Sequence, residues 1–167
     1  YPLGLGPHGL VSEALLLHMK SPAIHGALNM IYRYGITEDE AYAQKVYPYL
    51  RGVADFWEKD LVCRDGVYHV VGDGMHERTD GNIRDNGVPE DPVNTLGYLK
   101  TFFTWMPRIS EALDLDEKKR EKWLEIAENL APYPKGTIRE IQENPTLWKE
   151  VDVKLEDLLP EEMLDKE

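Results

Sequence analysis

The sequence predicts an all-α fold of successive helical hairpins, with inner and outer members, interrupted by a short β element and one polar loop. Three observations lead there. Apolar residues recur at helical spacing through four segments between residues 22 and 130. One run, Val67 to Val71, is β-branched and aromatic and too short for a helix. With 42% apolar residues, a chain of 167 residues can bury one real core.

The elements follow in order. In SPAIHGALNMIYRYG, Pro22 takes a first-turn position after Ser21, and Ala23, Ala27, Met30, Ile31 and Tyr34 recur at helical spacing until Gly35 ends the run. Thr37 with Glu40 reads as a capping box, and Pro48 restarts the second helix so that Leu50, Val53, Ala54, Trp57 and Leu61 form one stripe. Arg64-Asp65-Gly66 makes a turn into the short strand. After the polar loop, Asp91 caps a helix with Pro92 in its first turn. Its apolar residues, Leu96 to Leu113, cover more than one face, so it is buried on several sides, with a kink expected at Pro107. Asp116 opens an outer helix with Trp123, Ile126, Ala127 and Leu130 on one face, ended by Pro132 and Pro134. Beyond lie only the weak helical pieces TIREIQ and PEEMLDK. Residues 1–134 therefore read as one domain and 135–167 as an acidic flank.

Charge and composition exclude several functions. A net charge of −12 lacks the clustered Lys and Arg that phosphates require, which argues against nucleic acid. About half of that excess sits in Glu150 to Glu167, where eight acids face Lys154 and Lys166. Cys63, the single cysteine, excludes an intrachain disulfide and a cysteine-rich zinc site, and at the end of an apolar helical stretch it reads as a buried structural thiol. No run of 18 apolar residues marks a membrane span. The opening YPLGLGPHG has no methionine and reads as the middle of a loop, as in a part of a longer protein.

The loop GDGMHERTDGNIRDNG, residues 72–87, concentrates the polar chemistry. Its glycines, Asp and Asn residues suit tight turns and local side-chain to backbone bonds. A metal set of His76, Glu77, Asp80 and Asp85 matches neither a calcium loop nor an HExxH helix, and the glycines match no phosphate-binding fingerprint. Carbohydrate chemistry is the remaining reading. Glycosidic cleavage needs a carboxylic acid to protonate the leaving oxygen and a second carboxylate to activate water, with amides, Arg, His and aromatic rings to hold the sugar.

The series YRYGITEDEAYAQKVYPYLRGVADFWEKDLVCRDGVYHVVGDGMHE resembles the middle of the six-hairpin, (α/α)6-barrel glycoside hydrolases, in which such a helix pair precedes a short strand and an acid-bearing loop. HERTDGNIRDNGVPEDPVNTLGYL is similar to the D-E-Y-H, V-D-N, Y-T-N pattern of maltose- and kojibiose-phosphorylase-like enzymes and to the S-P-E-N loop of the α-L-fucosidase-like family. His76 stands where the first pattern has Asp, and the serine and proline of the second are absent. The resemblance spans residues 22–132 and implies a partial toroid with Glu77 as general acid. It also implies His76, Asp80, Asn82, Asn86 and Asn94 as substrate-binding groups, an oligosaccharide substrate cleaved with inversion, and no metal or cofactor. A glycoside phosphorylase or a non-catalytic helical binding module are the other expectations. The chain holds fewer than half the helices of such a barrel and no convincing second catalytic carboxylate, so alone it is expected to be inactive. A secreted or periplasmic location is a further implication of the family.

Bland readings cover the other polar and aromatic groups. His18 and His25, on or beside apolar faces, are expected to be satisfied core histidines, and His69 to follow strand alternation. Trp57, Trp105 and Trp123 fit helix cores.

Overall fold

The protein is described by a computed structural model that covers residues 20–73, 90–133, 135, 137, 139 and 160–165. The chain divides into two compact units, Tyr1–Pro132 and Tyr133–Glu167. In the first, the order is α1 (Pro22–Thr37), α2 (Glu40–Asp60), β1 (Val62–Arg64), β2 (Val67–His69), α3 (Val93–Ala112) and α4 (Glu117–Glu128). The described residues are thus mostly helical, with one two-stranded antiparallel sheet. Among them, no helix is long and apolar enough to cross a membrane.

The helices are as expected in number and place, but their ends are not. Helix α1 runs through Gly35 to Thr37 and stops where Glu38 turns left-handed at φ 51°. Asp39, not Thr37, caps α2: its carboxylate accepts the Tyr42 N–H at 3.0 Å, while the Thr37 hydroxyl donates back to the Arg33 carbonyl. Pro48 does not restart α2, which is continuous through it. Pro48 and Gln44 are both exposed, so the Gln44 carbonyl that loses its partner faces water. Helix α3 likewise runs through the buried Pro107. Helix α4 ends at Glu128, before the prolines, because residues 129–131 extend along β2: the Tyr68 N–H donates to the Asn129 carbonyl and the Ala131 N–H to the Tyr68 carbonyl.

The hairpin has the shortest possible connection. Val62 pairs with His69, Cys63 with Tyr68 and Arg64 with Val67, across Asp65 (φ 51°) and Gly66 (φ 82°). Two successive left-handed residues match the right-handed twist of the strands, which is why Asp-Gly stands here. Cys63 is exposed on β1 rather than buried, because the chain leaves the helix at Leu61 and β1 lies on the surface.

Helix α3 is central and touches α1, α2 and α4. It buries Leu96, Leu99, Phe102, Phe103, Met106 and Ile109, each worth about 1.5–3 kcal/mol of transfer free energy. Its contacts with α1 fix a parallel arrangement. His25 stacks on Tyr98, and further along Gly35 lies against Trp105. Helix α2 runs antiparallel to α1, with Lys20 bonded to Asp60 at one end and Arg33 over the Tyr42 ring at the other. Helix α4 is parallel to α2, because Asp116 meets Tyr47 and Arg51 while Trp123 meets Glu58. Two hairpins therefore lie side by side, with α1 and α3 parallel to each other and α2 and α4 parallel to each other.

A polar seam joins α2 to α4. The Asp116 carboxylate accepts from the Tyr47 hydroxyl at 2.9 Å and Arg51 Nε at 3.0 Å, and Glu58 accepts from Lys119 Nζ and Trp123 Nε1, each at 2.7 Å. Asp116 starts α4 as expected, yet its carboxylate reaches across to α2 instead of capping its own helix. Trp123 and Trp57 are fully buried, and Trp105 only partly. Trp123 needs Glu58 for its indole N–H. In the second unit, α5 (Glu161–Leu164) buries Leu164, and Arg139 bonds Asp165 at 2.8 Å, holding that carboxyl below its ordinary range.

Two outcomes are expected. Gly66→Ala forces a Cβ into a left-handed position and costs about 1 kcal/mol, read as a lower denaturant midpoint with unchanged slope. Burial, then the hydrogen bond to Asp116, push the Tyr47 hydroxyl up from 10.0 to about 12. The folded state favours the neutral phenol, so this contribution is intact below pH 10 and is lost as pH rises toward 12. Thermal melts of the native chain should fall through that window, and those of Tyr47→Phe should fall less steeply.

Candidate functional site

The hairpin, α1 and α3 converge on the two ends of the polar loop. Five of the expected site residues, His76, Glu77, Asp80, Asn82 and Asn86, lie in residues 74–89, outside the described residues. Asn94 is described: it is exposed in the first turn of α3. The frame that holds the loop is described on both sides.

On the entry side stands Asp73, a fully buried carboxylate. Its Oδ1 accepts the backbone N–H groups of Lys20 at 2.5 Å and Ser21 at 3.3 Å, and its Oδ2 accepts the Thr95 hydroxyl at 2.6 Å. One acid thus ties the chain entering α1 to the first turn of α3, where the positive ends of two helix dipoles favour a negative charge. Lys20 adds a second tie. Its Nζ bonds Asp60 at 2.8 Å and the Val71 carbonyl at 2.9 Å. The loop therefore starts from a rigid base at the shared N-terminal end of α1 and α3.

On the exit side, Val71 and Glu90 form an antiparallel bridge, which brings the two ends of the loop together. Asp91 sits at φ 52° with its backbone N–H on the Val70 carbonyl at 2.8 Å. Its carboxylate does not cap α3. Oδ1 accepts the Val70 N–H at 2.8 Å and Oδ2 meets His69 Nδ1 at 2.7 Å. A carboxylate oxygen accepts in such a pair, with Nδ1 as the donor. Glu90 ion-pairs with Arg64 across the hairpin.

His69, Glu90 and Asp91 offer ligand atoms within 4.8 Å of one another, a donor set that divalent metals accept. Here the set is held together by its own charges: Arg64 neutralises Glu90, and the His69–Asp91 separation of 2.7 Å is that of a hydrogen bond. The sequence placed His69 by alternation and Asp91 by its neighbour Pro92. Their pairing depends on the bridge that closes the loop, which no local pattern announces. Asp73 was legible only as one more acid of the loop, and its burial comes from two helix starts distant in sequence.

A third group was misread. His25 is exposed rather than a core histidine, its ring stacked on Tyr98 with centroids 5.4 Å apart. Tyr68 is buried and donates to Glu125 Oε1 at 2.5 Å; burial, then this bond, raise its hydroxyl. No family model, curated protein or solved structure matches this chain.

Removing the central carboxylate has a clear expected cost. Asp73→Ala leaves two backbone N–H groups and a hydroxyl unpaired and is expected to lower stability by about 3 kcal/mol, whereas Asp73→Asn, which keeps an acceptor for the backbone, loses about 1 kcal/mol. Chemical denaturation of the two variants beside the native chain measures the difference.

Proposed function

We propose that this chain is a segment of a glycoside hydrolase of the six-hairpin type, α-L-fucosidase-like, cleaving an oligosaccharide by general acid catalysis with Glu77 as the acid. In this reading the two hairpins belong to an (α/α)6 toroid, with α1 and α3 inside and α2 and α4 outside. The observation that carries it is the parallel packing of the apolar helices α1 and α3, with their N-terminal ends at the neck of the loop that holds Glu77. Consecutive hairpins with parallel inner members are the repeating unit that such a toroid requires.

The acids that border the loop support the assignment to the loop's own carboxylates. Asp73 is bound by three donors, Asp91 by His69 and the Val70 N–H, and Glu90 by Arg64. Each is committed to holding the frame. The family resemblance then selects Glu77 among the acids of residues 74–89 and gives His76, Asp80, Asn82, Asn86 and Asn94 the sugar hydroxyls. Glu77 protonates the leaving oxygen while water attacks from the opposite face, which inverts the anomeric centre.

The test is turnover of fucosylated, galactosylated and glucosylated oligosaccharides by the full-length protein and its Glu77→Gln variant, with and without phosphate. Hydrolysis that falls by about 10²-fold or more in the variant is the expected result. Turnover that requires phosphate replaces the hydrolase with a phosphorylase, and equal turnover in both proteins removes Glu77 from the chemistry.

A further inference from the structure

Among the described residues, His69, Glu90 and Asp91 are the one grouping that brings three metal-ligating side chains together, with ligand atoms within 4.8 Å of one another. They come from both sides of the loop neck, His69 from β2 and the two acids from the segment that leads into α3. Backbone bonds already tie these segments: Val71 bridges Glu90, and the Asp91 N–H donates to the Val70 carbonyl. The side chains are oriented as well. Asp91 gives Oδ1 to the Val70 N–H at 2.8 Å, which leaves Oδ2 directed at His69 Nδ1, 2.7 Å away, and Glu90 Oε1 stands 3.6 Å from the same Nδ1. A ligand carboxylate anchored through its second oxygen is the outer contact by which metal sites fix their ligands.

We propose that His69, Glu90 and Asp91 bind a zinc ion that clamps the neck of the polar loop. The clamp is independent of the glycosidase reading, because Glu77 takes no part in it. The donor set selects the ion. One imidazole nitrogen with two carboxylate oxygens suits zinc, which accepts three protein ligands and a water in the fourth place, whereas calcium and magnesium prefer an all-oxygen shell. Ligands about 2.0–2.2 Å from zinc stand roughly 3.3–3.6 Å apart in a tetrahedron. The separations of 2.7 Å and 3.6 Å at Nδ1 bracket that spacing. Two carboxylates also match the charge of a divalent ion. His69 and Asp91 are shielded, with side chains 21% and 18% exposed, while Glu90 is 42% exposed and free to rotate onto the ion.

Arg64 is the competing cation. Its ion pair with Glu90 is exposed on both sides, and such a pair holds weakly enough for the guanidinium to move into water. On binding, zinc takes the place of the hydrogen on Nδ1. The neutral ring changes tautomer, its hydrogen passing to Nε2, so no proton is released, and Arg64 leaves Glu90. The ion thus replaces the hydrogen bond and the ion pair that close the neck without it.

The experiment is titration of the full-length protein, first dialysed against EDTA and then freed of it, with zinc chloride in competition with a chromogenic chelator. His69→Gln, Glu90→Gln and Arg64→Gln are titrated beside it. Zinc is expected to bind the native protein, with an affinity that falls about tenfold or more in His69→Gln and Glu90→Gln. In Arg64→Gln the affinity is expected to rise, because the cation that competes for Glu90 is gone. Glu90 and Arg64 are exposed, so these two variants keep the fold and carry the test even where His69→Gln does not fold. Bound zinc is also expected to slow hydrogen exchange at the Val70 and Asp91 amides, whose bonds close the neck. Absence of zinc binding, binding unchanged in Glu90→Gln, an affinity that fails to rise in Arg64→Gln, or exchange at both amides that zinc leaves unchanged overturns the clamp. Calcium that displaces zinc at equal concentration overturns the assignment to zinc.

Discussion

Helix α3 has to be covered on several sides, and the rest of the first unit follows from that. Leu96, Leu99, Phe102, Phe103, Met106 and Ile109 occupy about half of its circumference and are all fully or almost fully buried. No single partner helix covers so wide a face, so α1, α2 and α4 all pack on it. Two antiparallel hairpins set side by side supply three neighbours, and within each hairpin the connection is short. The turn between α3 and α4 shows how short: Asp114 and Asp116 both adopt left-handed backbone, and Ser110 accepts Arg120 Nε at 2.9 Å to close it.

The charges are sorted by the same packing. Where α2 meets α4 the contact is polar: Asp116, Arg51, Asp55, Lys119 and Glu58 form one network, in which the Arg51 guanidinium beside Asp55 holds that carboxyl low and the hydrogen bond to Glu58 raises the Lys119 ammonium. These groups are partly exposed, and such pairs are worth at most about 1 kcal/mol each. They set the register of α2 against α4 more than they stabilise it. On the α1 and α3 side the contact is apolar, apart from the carboxylate of Asp73 at one end. Residues 73 and 90, which flank the polar loop, lie at that end.

Much of this was legible in local patterns. Trp57 and Trp123 fell on apolar stripes and are buried; Val67 to Val71 read as a strand, of which Val67–His69 form β2, and Arg64-Asp65-Gly66 as its turn. The misreadings share one cause. Thr37, Pro48, Gly35, Asp91 and Cys63 were each assigned from immediate neighbours, and each is decided by what lies beyond them: Asp39 offers a better cap, solvent tolerates the broken bond at Gln44, Trp105 occupies the space at Gly35, the closed loop turns Asp91 to His69, and β1 carries Cys63 outward.

By itself, the sequence determined the number, kind and approximate extent of the helices among the described residues of the first unit, the hairpin, and the concentration of acids and amides in residues 72–94, because periodicity and turn chemistry act over a few residues. Only the tertiary structure decided that α1 and α3 run parallel, that Asp73 ties their starts together, and that His69, Glu90 and Asp91 close the neck of the loop. Those contacts join residues about twenty to seventy positions apart, as in His69 with Asp91, Lys20 with Asp73 and His25 with Tyr98. Their partners are chosen by burial of the helices between them, which no short window of sequence contains.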